Sequence, residues 1–99
     1  MGLKYFSEFQ KVMEMMDDYM QLTISYDYQV QNITYDLEKE FMFEITESRN
    51  NFFLYVKNWE IYNSNGEKCI DVMRSAYDDC PDILVAIDRF EEKWSDFRK

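Results

Sequence analysis

The spacing of apolar residues changes twice along the chain, and this change limits the possible folds more than any other feature. From Leu3 to Leu22 apolar residues recur every three or four positions, which is typical of an amphipathic helix. Apolar and polar residues then alternate from Ile24 to Tyr62, as in strands with one buried side. The helical spacing returns after that. The chain is therefore predicted to be α+β.

The alternating part predicts an antiparallel sheet of three strands. The first strand begins near Ile24 and shifts phase by one residue near Asn32, which indicates a bulge or a bend. A second strand begins at Phe41, and residues 48–51 have the composition of a turn. Residues 52–62 are predicted as one continuous third strand. A meander with one buried and one wet face would produce this alternation.

Residues 67–77 carry two conflicting signals. Asn65-Gly66 is a strong hairpin signal and would add a fourth strand. The apolar residues that follow have helical spacing, so a helix over 67–77 is favoured, with a strand as the alternative. Pro81 fits the first turn of a last helix, whose apolar stripe continues to Phe97.

The predicted architecture is an N-terminal helix, a three-stranded antiparallel sheet and two C-terminal helices packed on one face. A chain of 99 residues forms one core, so residues 1–99 are expected to be a single compact domain. No apolar run is long enough for a membrane span and no signal peptide is visible, so a cytoplasmic location is expected. In a reducing compartment Cys69 and Cys80 are expected to be packing residues, with a disulfide as the alternative.

The residue types argue against catalysis and against a cofactor. The chain has no histidine, which removes the commonest general base and the commonest imidazole metal ligand. Its two glycines stand apart, so no phosphate-binding loop is present. A calcium loop starting at Asp78 fails because Ile83 occupies the position that requires glycine. We expect neither an enzyme nor a cofactor or metal site.

Net charge is the most informative property for function. Twenty acids against eleven bases give −9, and residues 1–48 hold ten acids with three bases while residues 49–99 hold ten acids with eight bases. The excess is therefore −7 in the first half and −2 in the second. Such a field repels nucleic acid and anionic membranes and steers the chain toward basic protein surfaces.

Two groups of residues are predicted to bind a partner. In the first, carboxylates and aromatic rings are interleaved: Tyr26, Asp27, Tyr28, Tyr35, Asp36, Glu38, Glu40 and Glu44. In the second, Asp88, Glu92 and Asp96 repeat at four residues on one predicted helix, about 6 Å apart. Carboxylates would complement a basic groove, and rings would add desolvated contact area. The competing interpretation is that the acids form a solvated face and the rings form the core.

In size and composition the chain resembles the small acidic inhibitors that phages make against host nucleases, including anti-CRISPR proteins and DNA mimics. It is similar in the same respects to bacterial toxin immunity proteins, and neither resemblance includes an aligned motif. The resemblance implies an inhibitor that occupies the basic groove of a CRISPR effector or another nuclease, without binding nucleic acid itself. The alternative is a non-inhibitory interaction module, such as a small subunit or a chaperone that uses the Met-rich face of the first helix.

Overall fold

The computed structural model describes residues 6–23, 28–35 and 40–98, and it has the predicted α+β order of elements. The elements are α1 (Phe6–Thr23), β1 (Tyr28–Tyr35), β2 (Phe41–Glu47), β3 (Asn50–Lys57), β4 (Glu60–Tyr62), α2 (Cys69–Ala76) and α3 (Pro81–Arg98). Among the described residues, no helix is both long enough and apolar enough to cross a bilayer.

The four strands form one antiparallel sheet in the order β1-β2-β3-β4, so each strand lies beside its neighbours in sequence. The predicted irregularity near Asn32 is confirmed as a shift of register between Val30 and Asn32. Gln31 is the additional residue and has no Cα partner in β2. Because of this extra residue, Val30 and Ile33 both pack against the core although their spacing breaks strict alternation.

The prediction of one strand over residues 52–62 is wrong, because a turn divides this segment into β3 and β4. Lys57 pairs with Glu60, so the turn consists of Asn58 and Trp59 alone. Their φ angles are 51° and 64°, the left-handed values that two-residue hairpin turns of this kind require at both positions. Tryptophan normally favours strands, so the pattern of residues around Trp59 predicts a continuous strand.

The turn between β2 and β3 is also strained, and this strain can be tested. Ser48 and Arg49 have φ angles of 51° and 71°, which cost a residue with a Cβ atom about 1–2 kcal/mol. We expect Arg49→Gly to raise the free energy of unfolding by about 0.5–1 kcal/mol, because glycine removes this cost but gains entropy in the unfolded chain. Chemical denaturation measures the change.

Trp59→Gly is the matched control for Arg49→Gly. It relieves the same backbone strain at φ 64°, but it also removes a ring that lies 6.3 Å from the Phe97 ring, centroid to centroid. The lost packing should outweigh the relief, so Trp59→Gly should destabilise the fold. A loss of stability in Arg49→Gly would show that its side chain makes a larger contribution than the backbone strain.

The segment around Asn65-Gly66 contains both features that its sequence suggested. Gly66 has a φ of 78°, and the turn reverses the chain so that Tyr62 and Lys68 form one isolated antiparallel bridge. The next residue begins α2, so the helix predicted over 67–77 is confirmed in a shorter form. The hairpin signal was correct about the turn but not about a strand after it.

The core lies between the three helices and one face of the sheet. Among the side chains that the structure describes, its buried residues come from every element except β1: Val12, Met15, Met16, Tyr19, Met20, Phe41, Phe43, Ile45, Leu54, Val56, Ile61, Cys69, Ile70, Met73, Ile87 and Trp94. Burial alternates along β2, where Phe41, Phe43 and Ile45 are buried and the residues between them are half-buried. The helices therefore cover one face of the sheet, and the other face forms part of the surface.

Candidate functional site

The second face of the sheet carries a group of large side chains, and we call Met42, Glu44, Phe53, Tyr55 and Tyr62 the open face. Each of these residues alternates with buried neighbours on its strand, so its side chain points away from the helices. Phe53 is 39% exposed, and the other four residues of the open face are half-buried. The open face is therefore an apolar and aromatic surface that the fold leaves accessible.

Strand register brings the open-face residues together from three strands. Tyr55 lies directly opposite Met42 on one side and Tyr62 on the other, which makes one row across the sheet. In the adjacent row Glu44 lies opposite Phe53. Directly opposite side chains in antiparallel strands have Cβ atoms about 4.5–5.5 Å apart, so each row is a continuous surface.

Glu44 differs from the other acids at the edge of this surface because it has no described partner. Lys57 Nζ lies 3.5 Å from Glu40 Oε2, and Lys68 Nζ lies 3.2 Å from Glu60 Oε1. Within residues 6–23, 28–35 and 40–98, no hydrogen bond or ion pair joins the Glu44 carboxylate to another residue. A negative charge without a countercharge thus lies beside Phe53 and next to Met42 and Tyr55.

The structure separates the residues predicted from the 25–44 stretch. Phe41 and Phe43, which this stretch also contains, are buried, so the interpretation of those rings as core is confirmed. Glu40 precedes β2 and pairs with Lys57. Tyr35 ends β1. Four of the predicted site residues lie outside the described part of the chain: Tyr26, Asp27, Asp36 and Glu38.

Tyr28 lies on the helix side of the sheet, where it joins β1 to α1. Its ring packs against the core, and its hydroxyl donates a hydrogen bond to Asp17 Oδ1. Desolvation by its neighbours and the adjacent Asp17 carboxylate raise the pKa of Tyr28 to about 12. The contacts of Tyr28 therefore hold β1 against α1, which is a structural role.

This raised pKa predicts how stability depends on pH. The pKa of a tyrosine is about 10 in the unfolded chain, and that of Tyr28 is higher in the folded chain. Below pH 10 the hydroxyl is protonated in both states, so Tyr28 makes its full contribution to the free energy of unfolding. The contribution is lost as the pH rises from 10 toward 12, because the unfolded chain ionises first. We expect unfolding midpoints to fall over this window, and to fall less in Tyr28→Phe. An equally steep decline in Tyr28→Phe would show that Tyr28 does not contribute.

The three acids predicted on the last helix do lie on α3, and all three are exposed. Arg74 Nη2 of α2 lies 2.6 Å from Asp88 Oδ1 and 2.9 Å from Glu91 Oε1, so the Asp88 charge is compensated. No described residue forms an ion pair with Glu92 or Asp96. Val85, which is 48% exposed, lies one turn before Asp88 on the same helix, but no aromatic ring of α3 is as exposed as that of Phe53 on the open face.

No metal site is visible in the parts of the chain described above, and the Cys69 thiol is not a reactive one. No group of three or more acids or cysteines there could hold a metal ion. Both thiols are free, with Cys69 buried and Cys80 half-buried. Burial raises the pKa of the Cys69 thiol, which keeps it protonated and unreactive near neutral pH.

Sequence patterns did not identify Phe53, Tyr55 and Tyr62 as candidate site residues. Alternation with Leu54 and Val56 could have placed Phe53 and Tyr55 opposite the core, but only the register shows that they adjoin Glu44 and Met42. No protein-family model, curated protein or solved structure matches this chain.

Proposed function

We propose that this chain is a small acidic inhibitor that binds a basic protein surface and blocks a nucleic-acid-binding enzyme, such as a CRISPR effector or another nuclease. It would be phage-encoded and would act in the cytosol of a bacterial host, without a cofactor and without turnover. The observation that supports the proposal is the position of Glu44, a carboxylate without a described partner among the rings of the open face.

Contact energetics favour the open face as the binding surface. Binding energy at protein interfaces is concentrated in buried aromatic anchors, and Phe53 and Tyr55 can be buried by a partner without rearranging the sheet. A carboxylate among such rings loses water when the partner docks, so it selects a partner that brings a lysine or an arginine. A basic groove that normally holds phosphates meets this requirement.

The charges elsewhere on the chain support the same partner. Lys57, Lys68, Arg74 and Lys93 each pair with an acid of this chain, so these bases do little to offset the acids that remain. Exposed acids without described ion pairs include Glu92 and Asp96 on α3. A net charge of −9 then steers the chain toward a basic surface before contact.

The Met-rich face of the first helix gives no support to the alternative of a chaperone or subunit that docks through it. Met15, Met16 and Met20 are each no more than 1% exposed and lie in the core. A non-inhibitory module that binds through the open face can be distinguished from an inhibitor by how its affinity for the partner depends on salt. Apolar docking would persist at high salt, whereas electrostatic complementarity weakens as ionic strength rises.

A titration tests the proposed function. The purified chain is added in increasing amounts to a fixed amount of a purified CRISPR effector or of another nuclease, and cleavage of a labelled DNA is followed. We expect inhibition to saturate at a fixed molar ratio and to weaken with salt. If each copy of the chain inactivates many enzyme molecules, inhibition does not occur by occupation of the basic groove. If the CRISPR effector and the other nucleases tested all keep full activity in an excess of the chain, the proposal of inhibition is wrong.

A further inference from the structure

A small cavity lies between the β3–β4 hairpin and the helices α2 and α3. Residues of all three elements form its wall, including Glu60, Ile70, Glu91 and Trp94, and its volume is about 20 Å³. A water molecule needs about 10–15 Å³ of such space. The cavity therefore has room for one water molecule and little more.

The indole N–H of Trp94 needs an acceptor that the described chain does not provide. Trp94 is 1% exposed, and its Nε1 atom has no hydrogen-bond partner within residues 6–23, 28–35 and 40–98. An indole nitrogen can only donate, so only an acceptor atom can satisfy it. Buried polar groups of native proteins are nearly always paired, either with the protein or with ordered water. Because Trp94 forms part of the cavity wall, a water in the cavity can be that acceptor.

A buried water also needs an acceptor for its own hydrogens, and Glu60 and Glu91 are the described acids of the cavity wall. Glu60 alternates along β4 with Ile61, which is 4% exposed and lies in the core. Successive side chains of a strand point to opposite faces, so the Glu60 carboxylate points away from the core. There the hydroxyl of Tyr62 donates a hydrogen bond of 2.9 Å to Glu60 Oε2. This excludes the Glu60 carboxylate as the acceptor.

Glu91 is well placed to be the acceptor, because it precedes Trp94 by three positions on α3. Residues three apart are neighbours on one face of a helix, and a helical side chain leans toward the N-terminus over the preceding turn. The Trp94 indole therefore leans over the turn that carries Glu91. Arg74 Nη2 lies 2.9 Å from Glu91 Oε1. A carboxylate has about four acceptor positions, so Glu91 can accept another hydrogen bond.

We propose that one water molecule occupies this cavity, where it accepts a hydrogen bond from Trp94 Nε1 and donates one to the Glu91 carboxylate. Buried waters make two to four hydrogen bonds, and these two contacts meet that requirement. The water offsets part of the cost of burying the indole N–H, because a water that is held in place loses freedom of motion. It also extends the contact between α2 and α3, since Glu91 already binds Arg74 of α2. The inference does not depend on the proposed function.

Nuclear magnetic resonance of the full-length chain tests the site directly. In a rotating-frame spectrum, a proton in direct contact with water gives a cross-peak of the opposite sign to one that arises from proton exchange. We expect such a contact cross-peak between water and the Hε1 proton of Trp94. The number of long-lived waters, measured by ¹⁷O relaxation dispersion, should fall by one in Trp94→Phe. Absence of the contact cross-peak, or an unchanged number of long-lived waters, would overturn the proposal.

Three variants test the choice of acceptor. Leucine is close to glutamate in size but has no acceptor, so Glu91→Leu should lose the cross-peak at Trp94. Glutamine keeps a carbonyl acceptor, so Glu91→Gln should retain the cross-peak, and Glu60→Leu should retain it as well. Arg74 still contacts Asp88 in both Glu91 variants, which preserves a link between α2 and α3. A cross-peak that persists in Glu91→Leu, or that is lost in Glu60→Leu, would overturn Glu91 as the acceptor.

Discussion

Trp94→Ala is expected to lower the free energy of unfolding by about 3–5 kcal/mol, the usual cost of removing a buried aromatic side chain. Trp94 is 1% exposed, and its ring centroid lies 4.5 Å from that of Phe97 and 6.3 Å from that of Phe90. Total stability of a domain is about 5–15 kcal/mol, so this variant would be partly unfolded at modest temperature. Urea denaturation of both proteins gives the difference.

Trp94→Phe separates ring packing from the polar group of the indole. Trp94 Nε1 is buried and has no hydrogen-bond partner in the described part of the chain, a situation that costs about 1–3 kcal/mol. Phenylalanine removes this unpaired donor and retains most of the ring, so its cost should be well below that of alanine. If Trp94→Ala melts like the wild type but no longer binds its target, Trp94 belongs to an interface and not to the core.

Glu44→Lys is expected to weaken inhibition about thirtyfold or more at low salt, because reversing a charge that becomes desolvated in a complex costs roughly 2 kcal/mol or more. The new lysine would face the base that Glu44 is proposed to meet, which slows association as well as loosening the complex. The fold should tolerate the change, since Glu44 is half-buried on the surface of the sheet and makes no described polar contact. Inhibition titrations at two salt concentrations measure the effect.

Glu92→Lys with Asp96→Lys is the control for Glu44→Lys. It changes the net charge by +4 instead of +2, so a purely long-range field effect would make it the more damaging variant. Binding through the open face predicts the opposite order. If both variants inhibit as well as the wild type at low salt, the acids form only a solvated surface and the proposed mode of inhibition is wrong.

Periodic patterns in the sequence were enough to predict the three helices, the meander and the bulge of β1. Each of these features depends on which side chains must be buried, and burial leaves a regular spacing in the sequence. The β3–β4 turn depends instead on two residues held at positive φ, and Trp59 has no intrinsic preference for that conformation. The ring of Trp59 packs near Phe97, so a tertiary contact compensates for a local strain that sequence patterns do not reveal.

The candidate site was predicted only in part, because closeness in sequence differs from closeness on a sheet. Phe43 and Glu44 are adjacent in the chain, yet one is buried and the other lies on the opposite face. The rings that adjoin Glu44 come from β3, and the register of β2 with β3 is needed to find them. Composition thus predicted an acidic and aromatic surface, while strand pairing decided which rings belong to it.

The meander order of the sheet also has a consequence for the folding rate. Strands joined by turns of two residues close very small loops, and hairpins of this kind form within about 1–10 μs. The contact between Lys93 of α3 and Asp18 of α1 instead joins residues that are 75 positions apart. Closing so long a loop costs more entropy, so the pairing of these helices should follow the hairpins. Substitutions of residues that join α1 to α3, such as Asp18 or Lys93, should then increase the unfolding rate much more than they decrease the refolding rate.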